Sequence, residues 1–498
     1  MSAARFELDP AVWRRDGGRM LVGGVPPRLL RLSDPGAAAL DAILAGEPLG
    51  AAAQALARRL ERHGLLHPVP EAGEAGAAEI TVVIPVLDGG EALVGLVAQL
   101  AGEGPVIVVD DGSRDGAPER AAAAAKARGT RVSAATGAPD AGLRAGAAVT
   151  VIPNAGLPGP AGARNTGLRA ARTALVAFLD ADCEVEPGWR GGLAALLDAD
   201  PDLALVAPRV RSAPGPSALA RYEEHASPLD LGPHPSLVGP DRRIAYLPSA
   251  ALLGRRADLL ALGGFDETMR FGEDVDLVWR LLAAGHRARY VPSVEVRHQP
   301  RPDLRSFARQ RAGYGAAAPD LARRHGGLAS PLVLGPQTGL VAGSLLLGPQ
   351  AFAPALAASV GAVASRGEDR QARLGRAEVA LQGHLTASRH LARALVREWL
   401  PLSLLAATRS RRARRLLLAA AIVDAAPAWR AAANPAEIAT ATALRALDRA
   451  AYACGLWRTL ATTVDGPKSA DMERFSAHQQ GGWGGGRLGA LLPRRSGR

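Results

Sequence analysis

Two long apolar runs stand out in the middle of the chain, Ile80–Val86 and Val106–Val109. Neither run alternates apolar with polar positions, and such runs are typical of strands that are buried on both faces of a sheet. A helix is predicted next, over Pro118–Arg128. Strands that alternate with helices predict an α/β unit, which is a mostly parallel sheet with helices on both faces. We place this unit at residues 79–300.

The N-terminal 70 residues carry a different pattern. Alternation of apolar with polar or glycine positions predicts two short strands, Leu21–Gly24 and Arg28–Leu32. Helical spacing predicts two helices, Ala37–Leu44, which Ser33 can cap, and Leu49–His63. This order resembles the small winged-helix domains of modified-peptide pathways, which bind a leader peptide as an added edge strand. The alternative is a helical cap that only packs on the α/β unit.

Residues 326–365 contain no Asp, Glu, Lys, Arg or His. Prolines divide them into two apolar legs of roughly 17–20 residues, near the minimum for a membrane-spanning helix. Arg323 precedes the segment and Arg366 follows it, so a membrane hairpin would keep both basic flanks on the cytoplasmic side. Buried helices or a contact in the plane of the membrane are the alternatives. Further helices are predicted over Ala377–Ala407 and Leu416–Ala425.

The chain therefore divides into five predicted segments. They are a winged-helix-like domain at 1–70, a linker at 71–78, the α/β unit at 79–300, a mostly helical region at 301–480, and a disordered Gly/Arg-rich tail at 481–498.

Composition excludes some classes of protein. The formal net charge of +11 suits ligands that carry phosphate or anionic lipid. No basic groove interleaved with aromatic residues is visible, so nucleic acid is not an expected partner. Cys183 and Cys454 give no disulfide framework. Because the N-terminus has no apolar signal segment, we expect a cytoplasmic protein, at the inner face of the membrane if residues 326–365 contact lipid.

The candidate chemistry begins with Asp180 and Asp182, which follow a strand-like run. Two carboxylates at this spacing suit a hard divalent cation that carries phosphates. Further motifs accompany them in a fixed order: Ile80–Val86, Val106–Ser113, Ala163–Gly167, Gly263–Glu267, Gly272–Leu277 and Val296–His298. In this order the motifs closely resemble the inverting family 2 glycosyltransferases, whose nucleotide-sugar-binding fold is called GT-A.

The resemblance implies a metal site. Asp182 would be the principal metal ligand, and Asp180 would contact the ribose or reach the metal through water. His298 would be a third ligand from later in the chain. The implied cofactor is Mn²⁺ or Mg²⁺, and a neutral imidazole suits Mn²⁺ better.

The resemblance also implies how a UDP-sugar is bound and used. The implied nucleotide-sugar contacts are Pro85, Asp110, Asp111, Arg164, Asn165 and Asp180. Asp111 would accept the N3–H of uracil. Asp274 would be the general base that deprotonates the acceptor hydroxyl, and Glu273 would orient that base or the acceptor.

A peptide-recognition-like domain joined to a family 2 domain, with Asp448–Trp457 near the end, resembles the mycofactocin-system glycosyltransferases. Those enzymes attach a β-linked glucose chain to a peptide-derived redox cofactor. The chain departs from their pattern at Arg449 and Ala453.

Two alternatives to this assignment stay open. One is a membrane-associated glycosyltransferase with a polysaccharide or lipid acceptor, although Phe307–Tyr314 lacks the tryptophan of the usual acceptor motif. The other is a peptide-binding scaffold with an inactive transferase domain. The sugar, the chain length and the oligomeric state are left open.

Overall fold

The structure is a computed structural model, and it describes residues 5–70, 80–134, 148–326, 335–430 and 432–463. The predicted linker at 71–78 and the predicted tail at 481–498 lie outside these residues. So do residues 327–334 of the predicted hairpin and residues 464–480 of the predicted helical region.

The N-terminal unit contains a three-stranded antiparallel sheet in the order β2-β3-β4, and a separate pair in which β1 joins β5. Leu21, Leu40 and Leu60 pack in the core between this sheet and the two helices. The two predicted strands and both predicted helices are present, whereas β1, β2 and β5 were not predicted. The elements are β1 (Phe6–Leu8), β2 (Trp13–Arg15), β3 (Met20–Gly23), β4 (Arg28–Arg31), α1 (Asp34–Ala45), α2 (Ala51–Arg62) and β5 (Leu66–Pro68).

The central unit is a ten-stranded mixed sheet in the order β11-β15-β12-β14-β10-β6-β7-β9-β8, with β13 paired to β15. The strands are β6 (Ile80–Val86), β7 (Val106–Asp110), β8 (Arg131–Ala134), β9 (Ala148–Pro153), β10 (Leu175–Leu179), β11 (Cys183–Val185), β12 (Leu203–Ser212), β13 (Ser236–Leu237), β14 (Ala251–Arg255) and β15 (Arg287–His298). The helices are α3 (Gly90–Leu100), α4 (Ala117–Ala127), α5 (Pro160–Ala170), α6 (Trp189–Ala199), α7 (Ala218–Ala226), α8 (Arg256–Ala261) and α9 (Glu273–Ala283).

Helices cover both faces of this sheet, as the continuous apolar runs predict. Successive residues of β6 point to opposite faces, so Val82 and Ile84 join one core and Val83 joins the other. The parallel strands β6, β7, β9 and β10 end at one edge of the sheet. Ligands of open α/β sheets bind at such an edge, and the candidate residues that follow β7 and β10 lie there.

The C-terminal region is helical. Its elements are α10 (Leu304–His325), α11 (Pro336–Ser344), α12 (Pro349–Ala364), α13 (Arg370–Val396), α14 (Leu400–Arg409), α15 (Arg411–Arg430) and α16 (Pro435–Thr463). Helices α10 and α16 cross at two glycines. A Cβ atom on Gly315 would clash with the carbonyl oxygen of Tyr452, and one on Gly455 would clash with that of Ala312. The two backbones can approach this closely only because these residues lack side chains.

Among the described residues, no helix combines the length and the apolar character needed to cross a membrane. In the segment predicted as a membrane hairpin, the described helices α11 and α12 have 9 and 16 residues. A contact of this segment with a membrane surface stays a prediction.

Ion pairs fix the N-terminal unit on the central unit. Asp9, which is almost fully buried, pairs with Arg243 at 2.9 Å. Glu61 pairs with Arg287 at 3.1 Å and also with Arg289, whose side chain is fully buried. The N-terminal unit therefore has a defined place on the central unit.

Candidate active site

Strand pairing brings the three predicted metal ligands together. Asp180 and Asp182 lie between β10 and β11, and Cys183 of β11 is paired in register with His298 at the end of β15. The Nε2 atom of His298 lies 3.2 Å from Oδ1 of Asp182. Asp180, Asp182 and His298 each offer one ligand atom, and these atoms lie within 4.8 Å of one another.

The donor set fits a divalent cation. Nδ1 of His298 lies 2.9 Å from the carbonyl oxygen of Gln299, to which it can donate its proton, so Nε2 is the atom that could bind a metal. Burial lowers the pKa of His298, but the hydrogen bond and charge of Asp182 outweigh it and raise the pKa overall. Burial raises the pKa of Asp182, and His298 and Arg301 more than reverse this. Two carboxylates with one imidazole suit Mn²⁺ and accept Mg²⁺.

Arg164 connects the metal side of the site with the predicted base. Its guanidinium donates to Oδ1 of Asp180 at 2.6 Å and to Oε1 of Glu273 at 2.9 Å. The side chain is buried and lies over the ring of Phe265. Arg164 therefore holds the two acidic segments at a fixed separation, and its contact with a nucleotide stays a prediction.

Asn165, beside it on α5, is also buried. Its amide donates to the carbonyl oxygen of Phe265 at 2.8 Å and to Oε1 of Glu267 at 2.9 Å, and its oxygen accepts from the N–H of Phe265 at 2.8 Å. In this structure Asn165 positions the Gly263–Glu267 segment. The predicted contact between Asn165 and the nucleotide is untested.

The predicted base-binding residues lie at the ends of β6 and β7. Pro85 is buried and faces Val109 across the parallel pair. Oδ1 of Asp110 accepts from the N–H of Ser113 at 2.9 Å. The two oxygens of Asp111 accept from the amide of Asn154 at 2.6 Å and from the N–H of Gly159 at 2.8 Å.

Asn154 is a site residue that sequence reasoning missed. It directly follows β9, which pairs with β7, so its amide reaches Asp111 at the shared edge of the sheet. A polar residue directly after a buried strand was the available signal.

The predicted catalytic pair opens helix α9, after Gly272, which has a φ of 79°. Oδ2 of Asp274 accepts from the N–H of Ser249 at 3.1 Å, and Oδ1 accepts from the N–H of Val275 at 2.8 Å. Burial raises the pKa of Asp274 above its ordinary value. Burial, with the neighbouring charge of Asp274, raises the pKa of Glu273 to about 7.

Two tyrosines lie beside Asp274 and were not predicted. Tyr246 and Tyr314 are half-buried. Burial raises the pKa of both, and the charge of Asp274 adds to this, although Arg311 partly offsets it for Tyr314. Tyr314 comes from α10, so a residue of the helical region interacts electrostatically with Asp274.

An acidic and histidine cluster at the edge of an α/β sheet, with a buried acidic pair nearby, is the arrangement expected of a glycosyltransferase of the GT-A type. Comparison with known proteins agrees. The model of the family "Glycosyl transferase family 2" matches residues 81–242. Pre-mycofactocin glycosyltransferase from two strains of Mycobacterium tuberculosis is 38% identical over 465 residues, which cover 91% of this chain and 94% of that protein. The chain belongs to the family 2 glycosyltransferases of the mycofactocin system.

Solved structures show more distant similarity. A mannosyltransferase from Pyrobaculum calidifontis, in complex with GDP-Man and Mn²⁺, is 19% identical, with a TM-score of 0.37 over 64% of this chain and 89% of that one. GalNAc-T7 with UDP, GalNAc and Mn²⁺ is 18% identical, with a TM-score of 0.33 over 45% of this chain and 44% of that one.

Proposed function

We propose that the protein transfers glucose, with inversion, from UDP-glucose to a hydroxyl of a peptide-derived redox cofactor of the mycofactocin type, and that it extends a β-linked chain. The observation that carries this proposal is the placement of Arg164 between the metal-ligand triad and the acidic pair of α9. The similarity to pre-mycofactocin glycosyltransferase over 91% of the chain supports the acceptor class.

The metal side of the site would act on the leaving group. A divalent ion held by Asp180, Asp182 and His298 would neutralise the negative charge that develops on the departing diphosphate. Arg164 holds Asp180 through a 2.6 Å bond, so this carboxylate keeps one orientation during the reaction.

Asp274 would act on the acceptor. It would take the proton of the acceptor hydroxyl while that oxygen attacks the anomeric carbon from the face opposite the nucleotide. The bonds from Ser249 and Val275 fix the carboxylate on rigid backbone. Because burial raises its pKa, ionised Asp274 is a stronger base than an exposed aspartate.

The direct test is transfer to a defined acceptor. The protein is incubated with the peptide-derived acceptor, UDP-glucose and Mn²⁺, and the products are measured by mass spectrometry. We expect the mass of one or more hexoses to be added, with a β linkage by NMR, and we expect a chelator to abolish the addition. Transfer from GDP-mannose but not from UDP-glucose would refute the proposed donor, and an α linkage would refute inversion.

The acidic pair predicts the pH dependence of transfer. Protonated Asp274 cannot accept the acceptor's proton, so kcat/KM should rise as Asp274 ionises and be constant above that pH. Because burial raises the pKa of Asp274, this rising limb should lie at a higher pH than for an exposed aspartate. Glu273→Gln removes one of two neighbouring negative charges and should move this limb to lower pH. A pH–rate profile of each protein measures the shift. An unchanged limb in the variant would assign the titration to another group.

We further propose that the N-terminal unit binds the peptide portion of the acceptor. Strands β2 and β4 are the outer strands of its sheet, and in the described part of the chain each pairs with β3 alone. Trp13 on β2 is 56% exposed, and an exposed tryptophan on an outer strand suits contact with an added peptide strand.

Replacement of this tryptophan gives a selective test. Trp13→Ala should raise KM for a peptide-bearing acceptor about five- to thirtyfold, the factor that corresponds to a contact of about 1–2 kcal/mol. Slow hydrolysis of the donor should not change, since Asp274 and the metal ligands are untouched. The control is Leu402→Ala, which truncates an exposed apolar residue on α14. If both variants use the acceptor like the unaltered protein, the N-terminal unit is a packing cap.

A further inference from the structure

The Asp448–Trp457 segment, in the middle of α16, lies far along the chain from every catalytic motif. Its first residue, Asp448, nevertheless belongs to a buried cluster that contacts residues 298–301. We call these residues the metal-side loop, because they begin with His298. We define the Glu223 cluster as Glu223, Arg311, Asp448 and Tyr222, which come from helices α7, α10 and α16. All four are nearly or fully buried.

Glu223 is at the centre of this cluster. One carboxylate oxygen accepts from Nη2 of Arg311 at 2.7 Å, and the other accepts from the backbone N–H of Arg301 at 2.9 Å. Arg301 comes three residues after His298, and its guanidinium lies 3.6 Å from Oδ2 of Asp182. Glu223 therefore contacts the segment that carries two groups of the proposed metal site. One is the ligand His298, and the other is Arg301, whose positive charge faces the ligand Asp182.

Helix α16 supports this arrangement. Oδ1 of Asp448 lies 3.6 Å from Nε of Arg311, and Oδ2 accepts from the hydroxyl of Tyr222 at 3.2 Å. Arg311 also lies over the ring of Phe307, with its guanidinium carbon 4.4 Å from the ring centre. Arg311 is thus held between a carboxylate of α7, a carboxylate of α16 and an aromatic face.

The loop has other contacts, among them a bond from the side-chain amide of Gln299 to Oε1 of Glu184 at 2.5 Å. The N–H of Gln299 donates to the carbonyl oxygen of Asp182 at 3.0 Å, and the carbonyl oxygen of His298 accepts from the N–H of Ala213 at 2.8 Å. Beyond Gln299, and before Asp303 caps α10, the bond from the N–H of Arg301 to Glu223 ties the backbone of the loop to α7. Glu223, His298, Arg301 and Arg311 line one small cleft, so the cluster and the proposed metal ligand His298 lie close together.

We infer that Glu223 is a positioning residue for the metal-side loop, and that α16 supports it through Asp448 and Arg311. The inference rests on the proposed metal site. Outer groups that orient metal ligands typically change metal affinity by about 10–100-fold when they are replaced. On this basis the C-terminal helix contributes to the metal site although none of its residues touches the metal or the sugar.

Glu223→Gln is the test variant. Arg301 and Arg311 donate to different oxygens of Glu223, and glutamine has an NH2 donor in place of one of them, so one of the two bonds is lost in this geometry. The buried Arg311 also loses its nearest negative charge. We expect the affinity for Mn²⁺ in the presence of UDP, measured by calorimetry, to fall about tenfold. We expect kcat at saturating Mn²⁺ to change little, since Asp274 is unaffected.

Glu61→Gln is the matched control. Glu61 also forms a buried Glu–Arg pair, with Arg289, but at the contact with the N-terminal unit. Both variants should melt at a lower temperature, and only Glu223→Gln should bind Mn²⁺ more weakly. If Glu223→Gln does not fold, Asp448→Asn replaces it and should shift the affinity in the same direction by a smaller factor. Unchanged Mn²⁺ affinity in the folded variant would overturn the inference.

The same titrations separate this inference from the proposed function. If the unaltered protein binds no UDP in a Mn²⁺-dependent way, the proposed metal site fails. If it does bind, and the Glu223 variant binds equally well, only the positioning role fails.

Discussion

Asp274→Asn should abolish sugar transfer and leave donor binding intact. Asparagine is nearly isosteric, and its carboxamide oxygen can still accept from the N–H of Ser249, while only the bond from the N–H of Val275 is lost. It cannot accept the acceptor's proton, and general-base assistance is typically worth about 10²–10⁴-fold. We therefore expect kcat for transfer to fall by at least about a hundredfold, while the affinity for UDP and Mn²⁺, measured by calorimetry, stays nearly constant.

Asp276→Asn is the control for this prediction. Asp276 lies two residues further along the same helix, but its carboxylate binds Arg280 at 2.7 Å and His325 at 2.9 Å. The control should lower the melting temperature and retain transfer. If Asp274→Asn transfers sugar at a near-normal rate, the base is another group, and Glu273 would be examined next. If it loses donor binding as well, Asp274 has a structural or metal-binding role.

Asp182→Asn should remove metal-dependent donor binding. One ligand charge is lost at the position where the diphosphate is neutralised, while the packing of β10 is unchanged. Loss of a direct ligand should cost at least as much as loss of an outer partner, so we expect the affinity for UDP with Mn²⁺ to fall about a hundredfold or more. Calorimetry with UDP, with and without Mn²⁺, measures this effect.

Asp230→Asn gives the comparison, because Asp230 forms a two-point ion pair with Arg209, at 2.8 Å for each bond, and belongs to no metal-ligand group in the described chain. It should bind UDP and Mn²⁺ normally. Unchanged affinity in the Asp182 variant would refute the metal assignment.

Much of the fold could be predicted because its signals are local. The mostly apolar run at Ile80–Val86 coincides with β6. Every residue of this strand is buried, so the ends of the run mark the ends of the strand. The helix predicted over Ala377–Ala407 is instead two helices, α13 and α14. Arg397 leaves the helical conformation, with φ −127° and ψ −80°, and Pro401 lies in the first turn of the next helix. That proline was the signal for a break.

The site could be predicted only in part. The residues to which we assign its chemistry stand in motifs, so resemblance to a family could predict them. The residues that hold these side chains in place do not stand in motifs. Ser249 supplies a backbone N–H, which any residue can offer, and Glu223 acts on a loop whose Arg301 is 78 positions away. Such contacts depend on how the sheet closes, since β15 returns to pair with both β11 and β12.

The ion pairs of Asp9 and Glu61 bear on which hydroxyl of an acceptor can reach Asp274. Because they fix the N-terminal unit on the central unit, the span from the outer strand of that unit to Asp274 is a constant of the fold. A peptide docked on that strand would then present hydroxyls at set distances, as along a ruler. Only a group at the matching length would meet the base, so selection of the hydroxyl would follow from geometry as well as from contacts at the site.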